Sequence, residues 1–224
     1  MNGINFKQIR RRLLTKLITD FIKYYPEILD NETCDLIVSE LKKVDLTNVD
    51  SVFVRTSPYL SSGGSFLYSI NVDDNGLNLS NSYFRKLADA ITMGKNRYLE
   101  EQPNYSHRYG FSSGENFGVY EDVGSKLLVQ YYPVGGSMSE HIDNTKGRFY
   151  MKEHHELCLE RPHAQLSCLL YLNEDYEGGT FVVADQEYET KKGSVIYYPA
   201  TFMFPHKVNT VTKGERWSVA TWLR

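Results

Sequence analysis

The chain has 224 residues, of which 41% are hydrophobic and 24% charged, and a formal net charge of −3. That hydrophobic share suffices for a real core, and mainly β chains of this length often form one domain, so a single domain over 1–224 is expected. The faint negative charge gives no footprint for a polyanion and excludes bulk nucleic-acid binding by charge, leaving only a local basic patch open.

In chain order, Phe6, Ile9, Leu13, Leu14, Leu17, Ile18, Phe21 and Ile22 recur at helical spacing with Arg10, Arg11, Arg12 and Lys16 between them, which predicts an amphipathic helix packed on a core. Lys16, Asp20 and Lys23 break this cluster, so it falls short of the roughly 20 apolar residues of a membrane span. No secretory signal is visible either. A second helix is expected over Asn31 to Val44, with Cys34, Ile37, Leu41 and Val44 on one stripe and Asp30 or Asn31 as cap. A third is expected from Asn81 to about Glu100, with Phe84, Leu87, Ala88 and Ile91 inward. Tyr59 to Gly76 and Pro103 to Gly124 are rich in Ser, Gly, Asn and Tyr and predict long loops. Tyr98, Tyr105, Tyr109 and Tyr120 are candidates to line a substrate cleft.

After residue 125 the pattern changes. Leu127 to Tyr132, Leu166 to Leu172, Thr180 to Ala184, Ser194 to Tyr198, Phe202 to Val208 and Arg216 to Leu223 are short apolar runs punctuated by glycine turns, the pattern of a β-sandwich or jelly roll. Cys34, Cys158 and Cys168 are odd in number and form no C-x-x-C pair, which points to ordinary thiols in a reducing compartment, so a cytoplasmic protein is expected.

The chemistry is concentrated in His141, Asp143 and His206, with Arg216 ten residues further on. Residues i and i+2 of an extended segment point to the same side, so His141 and Asp143 can grip one ion while Ile142 faces the core. Two imidazoles and one carboxylate on one face of a metal leave positions open, as in non-haem Fe(II) oxygenases. Zinc accepts the same donors, so the triad alone does not fix the metal. If Thr212 to Glu215 forms a turn, Arg216 stands about four ladder residues, roughly 13 Å, from the level of His206. Arg216, Ser218, Ala220 and Trp222 share a strand face, and the planar guanidinium suits a buried carboxylate. Tyr132 can add a phenolic donor.

The stretches YYPVGGSMSEHID (131–143), LLYLNEDYEGGTFVV (169–183) and PHKVNTVTKGERWSVATW (205–222) resemble the prolyl 4-hydroxylase branch of the 2-oxoglutarate/Fe(II) dioxygenases, and YPEILDNETCDLIVSELKKV (25–44) is similar to the helix that opens that domain. The resemblance implies a mainly β protein with flanking helices (α+β): a double-stranded β-helix, or jelly-roll, core over 125–224, with a helical and loop-rich part over 1–124 packed on it. It implies His141, Asp143 and His206 as iron ligands, Arg216 and Tyr132 as partners of the distal carboxylate of 2-oxoglutarate, and Trp222 beside the pocket. The cofactors implied are Fe(II), 2-oxoglutarate and O2, with ascorbate as an accessory reductant. The reaction implied is hydroxylation of a prolyl or other residue of a peptide or protein, coupled to decarboxylation of 2-oxoglutarate to succinate and CO2. Asp143 favours hydroxylation over halogenation, since halogenating relatives lack the carboxylate. Collagen-type members often carry Lys where this chain has Arg216, which argues against a collagen-like substrate.

Four alternatives stay open: a free amino acid or other small molecule as substrate, a nucleic-acid base, a jelly-roll binding module without catalysis, and a metal-dependent hydrolase, for which the sequence offers no obvious general base. The base-demethylating branch carries a second Arg six residues after the first, where this chain has Trp222. Glu153-His154-His155-Glu156 lacks metal-site spacing and is read as part of a loop or lid over Asn144 to Pro162. His163 and His107 are read as surface or satisfied polar residues. Gly178-Gly179 is read as a tight turn.

Overall fold

The computed structural model describes residues 18–43, 54–55, 66–70, 81–101, 127–143, 149–151, 157–159 and 166–223. The expected N-terminal helix lies mostly outside these residues, and within them Ile18 is exposed while Ile22 is buried. Tyr105, Tyr109, Tyr120, His107, His154, His155 and His163 also lie outside.

The main sheet is antiparallel. Its order is β1 (Lys23–Tyr25), β12 (Val195–Pro199), β8 (Leu166–Tyr171), β15 (Arg216–Leu223), β4 (Leu127–Tyr132), β3 (Phe66–Ile70) and β2 (Val54–Arg55). A second antiparallel sheet runs β11 (Gln186–Tyr188), β10 (Phe181–Val183), β13 (His206–Val208), β5 (Met138–His141). Two short pairs complete the described strands: β9 (Glu177–Gly178) with β14 (Val211–Lys213), and β6 (Phe149–Met151) with β7 (Leu157–Leu159).

Period-2 alternation explains why one sheet serves two cores. On β15, Trp217, Val219 and Leu223 join Val129, Cys168, Leu170, Val195 and Tyr197 in a cluster with the helices. The intervening Ala220 joins Tyr132, Leu169, Tyr171, Ile196 and Tyr198 in a second cluster, which includes Met138, Phe181, Val183 and Val208 of the smaller sheet. The two sheets thus face each other across an apolar interior, and the helices cover the outer face of the larger one. This is the jelly-roll core with flanking helices that the sequence implies.

Helix α1 (Asn31–Leu41) starts where Asp30 caps it: the Thr33 backbone N–H and hydroxyl both donate to the Asp30 carboxylate at 2.7 Å, satisfying a donor that the first turn leaves open. Cys34, Ile37 and Leu41 form its buried stripe. Helix α2 (Asn81–Glu101) buries Leu87, Ala90, Ile91 and Tyr98, with Ala88 half-buried.

Three expectations need correction. β3 lies inside the loop expected over Tyr59 to Gly76 and pairs with β4 from Phe66↔Tyr131 to Ile70↔Leu127. With β1 and β2, it carries the main sheet across the boundary drawn at residue 124. Tyr98 lines no cleft: it is buried on α2, donates to the Phe21 carbonyl at 3.1 Å, and its ring lies 5.9 Å from that of Tyr197. The loop expected over Asn144 to Pro162 contains the β6–β7 hairpin.

Gly94 sits in α2 because Tyr197 leaves no room for a side chain. A Cβ there would lie 2.8 Å from the Tyr197 ring and 2.9 Å from its hydroxyl, and that hydroxyl is anchored on the Ile91 carbonyl at 2.6 Å. Alanine normally gains about 1 kcal/mol over glycine within a helix, but overpacking a tight core costs about 1–3 kcal/mol. Gly94→Ala is therefore expected to lower the denaturation midpoint, and a raised midpoint would refute this packing account.

Candidate metal centre and anion subsite

β5 and β13 are neighbours in the smaller sheet, with His141 directly opposite His206. Their rings lie 4.2 Å apart, and Asp143 follows in the turn that leaves β5. The donor atoms of the three residues all fall within 4.8 Å of one another, so the group can hold a metal ion. Each imidazole is oriented through Nδ1, which lies 2.9 Å from the Ser139 carbonyl in His141 and 3.2 Å from the Phe204 carbonyl in His206. Both bonds reach the backbone two residues earlier, and they leave Nε2 of each ring as the metal-facing lone pair. Those Nε2 atoms stand 3.8 and 3.4 Å from Asp143 Oδ1.

The second Asp143 oxygen is held from the larger sheet. Ser167 donates to Oδ2 at 2.6 Å and Tyr198 at 3.3 Å. Burial would raise the Asp143 carboxyl, but hydrogen bonding and charge from His206, with help from Ser167 and Trp222, outweigh it and hold the group down to about 2. Burial, then the neighbouring His206, pushes the His141 imidazole down. At neutral pH the cluster therefore presents an ionised carboxylate beside a His141 biased towards the neutral, metal-binding form. Trp222, which pairs with Ser167 across β15 and β8, borders Asp143.

Arg216 opens β15 opposite Tyr132 and is fully buried. Its Nη1 donates to Ser218 at 3.1 Å, whereas Nε and Nη2 have no partner. No carboxylate among the described residues pairs with it. Its carbon Cζ lies 5.0 Å from the Tyr132 ring centroid and 5.3 Å from that of Tyr171, and the aromatic faces offset part of the cost of burying the charge. Burial pushes both phenols up, so neither supplies a negative charge. The hydroxyls of Tyr171 and Tyr176 are likewise buried without partners. Nε and Nη2 form the side-on edge of a guanidinium, which matches the two oxygens of a carboxylate. A buried cation with two N–H groups unpaired, close to buried unpaired hydroxyls, fits an anionic ligand that completes it.

Two backbone features set this side chain. The Asn173 amide donates to the Glu215 carbonyl at 2.7 Å, and its oxygen accepts the Trp217 N–H at 2.7 Å, so Asn173 brackets Arg216 on both sides. Gly179 takes φ +62, and a Cβ there would lie 3.1 Å from Arg216 Cδ and 3.2 Å from Tyr176. The tight turn expected at Gly178-Gly179 is instead the end of β9, and Gly179 just beyond it is a close approach of backbone to the Arg216 stem.

The structure brings together His141, Asp143 and His206, sets Trp222 beside Asp143, and pairs Arg216 with Tyr132. It corrects the ladder estimate: β13 and β15 belong to different sheets, so His206 and Arg216 are not related by a hairpin. Sequence reasoning missed Ser167, Tyr171, Tyr176, Tyr198 and Asn173. The Tyr132 hydroxyl is directed to Gln130 Oε1 at 3.4 Å.

The model of the family described as the 2OG-Fe(II) oxygenase superfamily matches residues 127–224. A PKHD-type hydroxylase of Psychrobacter sp. is 34% identical over 103 residues, covering 43% of this chain and 37% of that protein. The chain spans about two fifths of the length of the curated relatives it matches. In fold it is similar to a Pseudomonas putida prolyl-4-hydroxylase (TM-score 0.57, 14% identity, 96% of this chain and 97% of that one). It is also similar to a Trichoplax adhaerens prolyl hydroxylase in complex with a hypoxia inducible factor oxygen degradation domain peptide fragment (TM-score 0.59, 15% identity, 99% and 94%).

Removing the Ser167 hydroxyl takes the shorter of the two hydrogen bonds from Asp143 Oδ2, leaving that of Tyr198, and touches no metal-donor atom. Loss of such an outer partner typically weakens metal binding by roughly 10- to 100-fold. Titration of Ser167→Ala with Mn(II) is expected to show a loss of that order, and an unchanged affinity would mean that Ser167 does not orient Asp143.

Proposed function

Because residues 127–224 of this chain match the model of the 2OG-Fe(II) oxygenase superfamily, we propose that it is a member of that superfamily, a prolyl 4-hydroxylase-like dioxygenase that hydroxylates a prolyl or other residue in a peptide or protein. The observation that carries the reading is the coexistence of the His141–Asp143–His206 cluster with a fully buried Arg216 whose Nε and Nη2 are unpaired. One site suits a divalent metal with open positions, and the other suits the far carboxylate of a dicarboxylate.

His141, Asp143 and His206 would hold Fe(II), and Arg216 with Tyr171 would hold the distal carboxylate of 2-oxoglutarate, Tyr132 contributing its ring face to the guanidinium while its hydroxyl is directed to Gln130. Together with O2, these groups supply the oxidation that turns 2-oxoglutarate into succinate and CO2 and leaves one oxygen atom on the substrate. The chain's own residues orient and shield: Ser167 and Tyr198 fix Asp143, while Phe181, Val183, Leu169 and Ile196 build a dry apolar wall between the sheets. Water exclusion strengthens every charge interaction inside such a cavity.

Support for a peptide substrate comes from the similar prolyl hydroxylases, one of them bound to a peptide. The two clusters share the seven-stranded sheet, which supports a single domain over 1–224. No helix among the described residues is long and apolar enough to cross a membrane. The free thiols of Cys34 and Cys168 suit a reducing compartment, and on that ground we place the protein in the cytoplasm.

The test is turnover of the protein with Fe(II) and 2-oxoglutarate against peptides, free amino acids and methylated oligonucleotides, read by mass spectrometry. A proline-containing peptide should gain one oxygen atom with matching succinate. Hydroxylation of a free amino acid with every peptide unchanged would remove the peptide assignment. Failure to bind 2-oxoglutarate in the presence of metal would remove the oxygenase reading itself.

A second arm addresses Arg216. Charge-assisted bonds of this kind contribute about 1.5–3 kcal/mol each, so Arg216→Leu is expected to weaken 2-oxoglutarate binding by on the order of 100-fold or more. Mn(II) affinity should persist.

A further inference from the structure

We propose that Gln130 is a positioning residue for the anion subsite, acting on Arg216 through Ser218. The proposal rests on the reading of Arg216 as the 2-oxoglutarate anchor.

Gln130 is a polar side chain on the inner face of β4, only 7% exposed. The register sets Gln130 opposite Ser218, and Tyr132 opposite Arg216. Gln130, Tyr132, Ser218 and Arg216 therefore all lie on the same face of the sheet. The hydrogen bonds run in one direction. Arg216 Nη1 donates to Ser218 Oγ at 3.1 Å, Ser218 Oγ donates to Gln130 Oε1 at 3.2 Å, and the Tyr132 hydroxyl donates to the same Oε1 at 3.4 Å.

One amide oxygen thus collects the hydroxyls of Ser218 and Tyr132 beside the guanidinium. Arg216 has five N–H donors and several rotamers of similar energy. Occupying Nη1 from one side leaves the Nε–Nη2 edge as the only unpaired one. Without an acceptor at 130, Ser218 is free to turn its proton elsewhere, and the guanidinium loses its reference. Gln130 touches no ligand in this arrangement. Its influence is on how well the open edge is pre-set, so it belongs to affinity for the dicarboxylate rather than to the chemical step.

The relay is tested by 2-oxoglutarate binding measured calorimetrically on the full chain loaded with Mn(II), alongside steady-state kinetics with Fe(II). Gln130→Leu and Ser218→Ala are each expected to weaken 2-oxoglutarate binding about tenfold, the loss of one hydrogen bond to a charged group. KM for 2-oxoglutarate should rise in step, with kcat and Mn(II) affinity close to wild type. Because both variants cut the same chain, the double variant should also lose about tenfold rather than about a hundredfold. Additive losses, or single variants that bind like wild type, would overturn the relay. Ser218→Ala deletes one atom and tests the proposal even if Gln130→Leu folds poorly. Wild-type protein that binds Mn(II) but not 2-oxoglutarate would overturn the reading of Arg216, and the relay with it.

Discussion

A positive charge sealed inside an apolar interior, with no carboxylate among the described residues to meet it, is the constraint around which this fold is arranged. Taking an ion out of water costs several kcal/mol even after the surroundings relax. The chain offsets part of that cost locally. Two tyrosine rings face the Arg216 guanidinium, Ser218 takes one N–H, and Asn173 clamps the backbone on either side. What is left over is directional: an edge of two N–H groups without partners, in a pocket that also holds unpaired phenols. Such an interior is a poor design for a chain that never meets a small anion and a sound one for a chain that does.

The seven-stranded sheet makes this affordable because its two faces have separate duties. Trp217, Val219, Cys168, Leu170 and Tyr197 bury apolar surface under the helices, a contribution on the order of 25 cal/mol for each Å² removed from water. The alternate residues of the same strands, Arg216, Ser218, Tyr171, Gln130 and Tyr132, are released for polar work on the opposite face. Stability and chemistry are carried by neighbouring residues rather than by separate regions.

This division also sets what could be read from the chain. His141 and Asp143 stand two apart around Ile142, so their convergence follows from strand geometry, and the strand limits Leu127–Tyr132 and Arg216–Leu223 coincide with their apolar runs. Ser167 and Tyr171 stayed hidden for a physical reason. Every residue of Leu166–Tyr171 is buried, so polarity does not alternate with direction, and the inward face cannot be told from the outward one. β3 was masked by Ser- and Gly-rich flanks, although its partner β4 was evident. The relation of Arg216 to His206 failed as a ladder argument because sheet membership is decided by contacts between distant segments. Asp30 was legible as a cap since its role needs only Thr33, three residues away.

The smaller sheet ends at β5, an edge strand of four residues whose pairing with β13 shifts register between His206 and Val208. Short, irregular edges are where sheets fray first. Yet this border carries two of the three converging donors, and the third stands on the adjoining strand. An ion seized there would act as a rivet through the seam, fastening the weakest margin of the barrel by the very atoms that give it reactivity. Loading and closure would then be one event, so a molecule without its ion would be looser at its mouth than one that is ready to work.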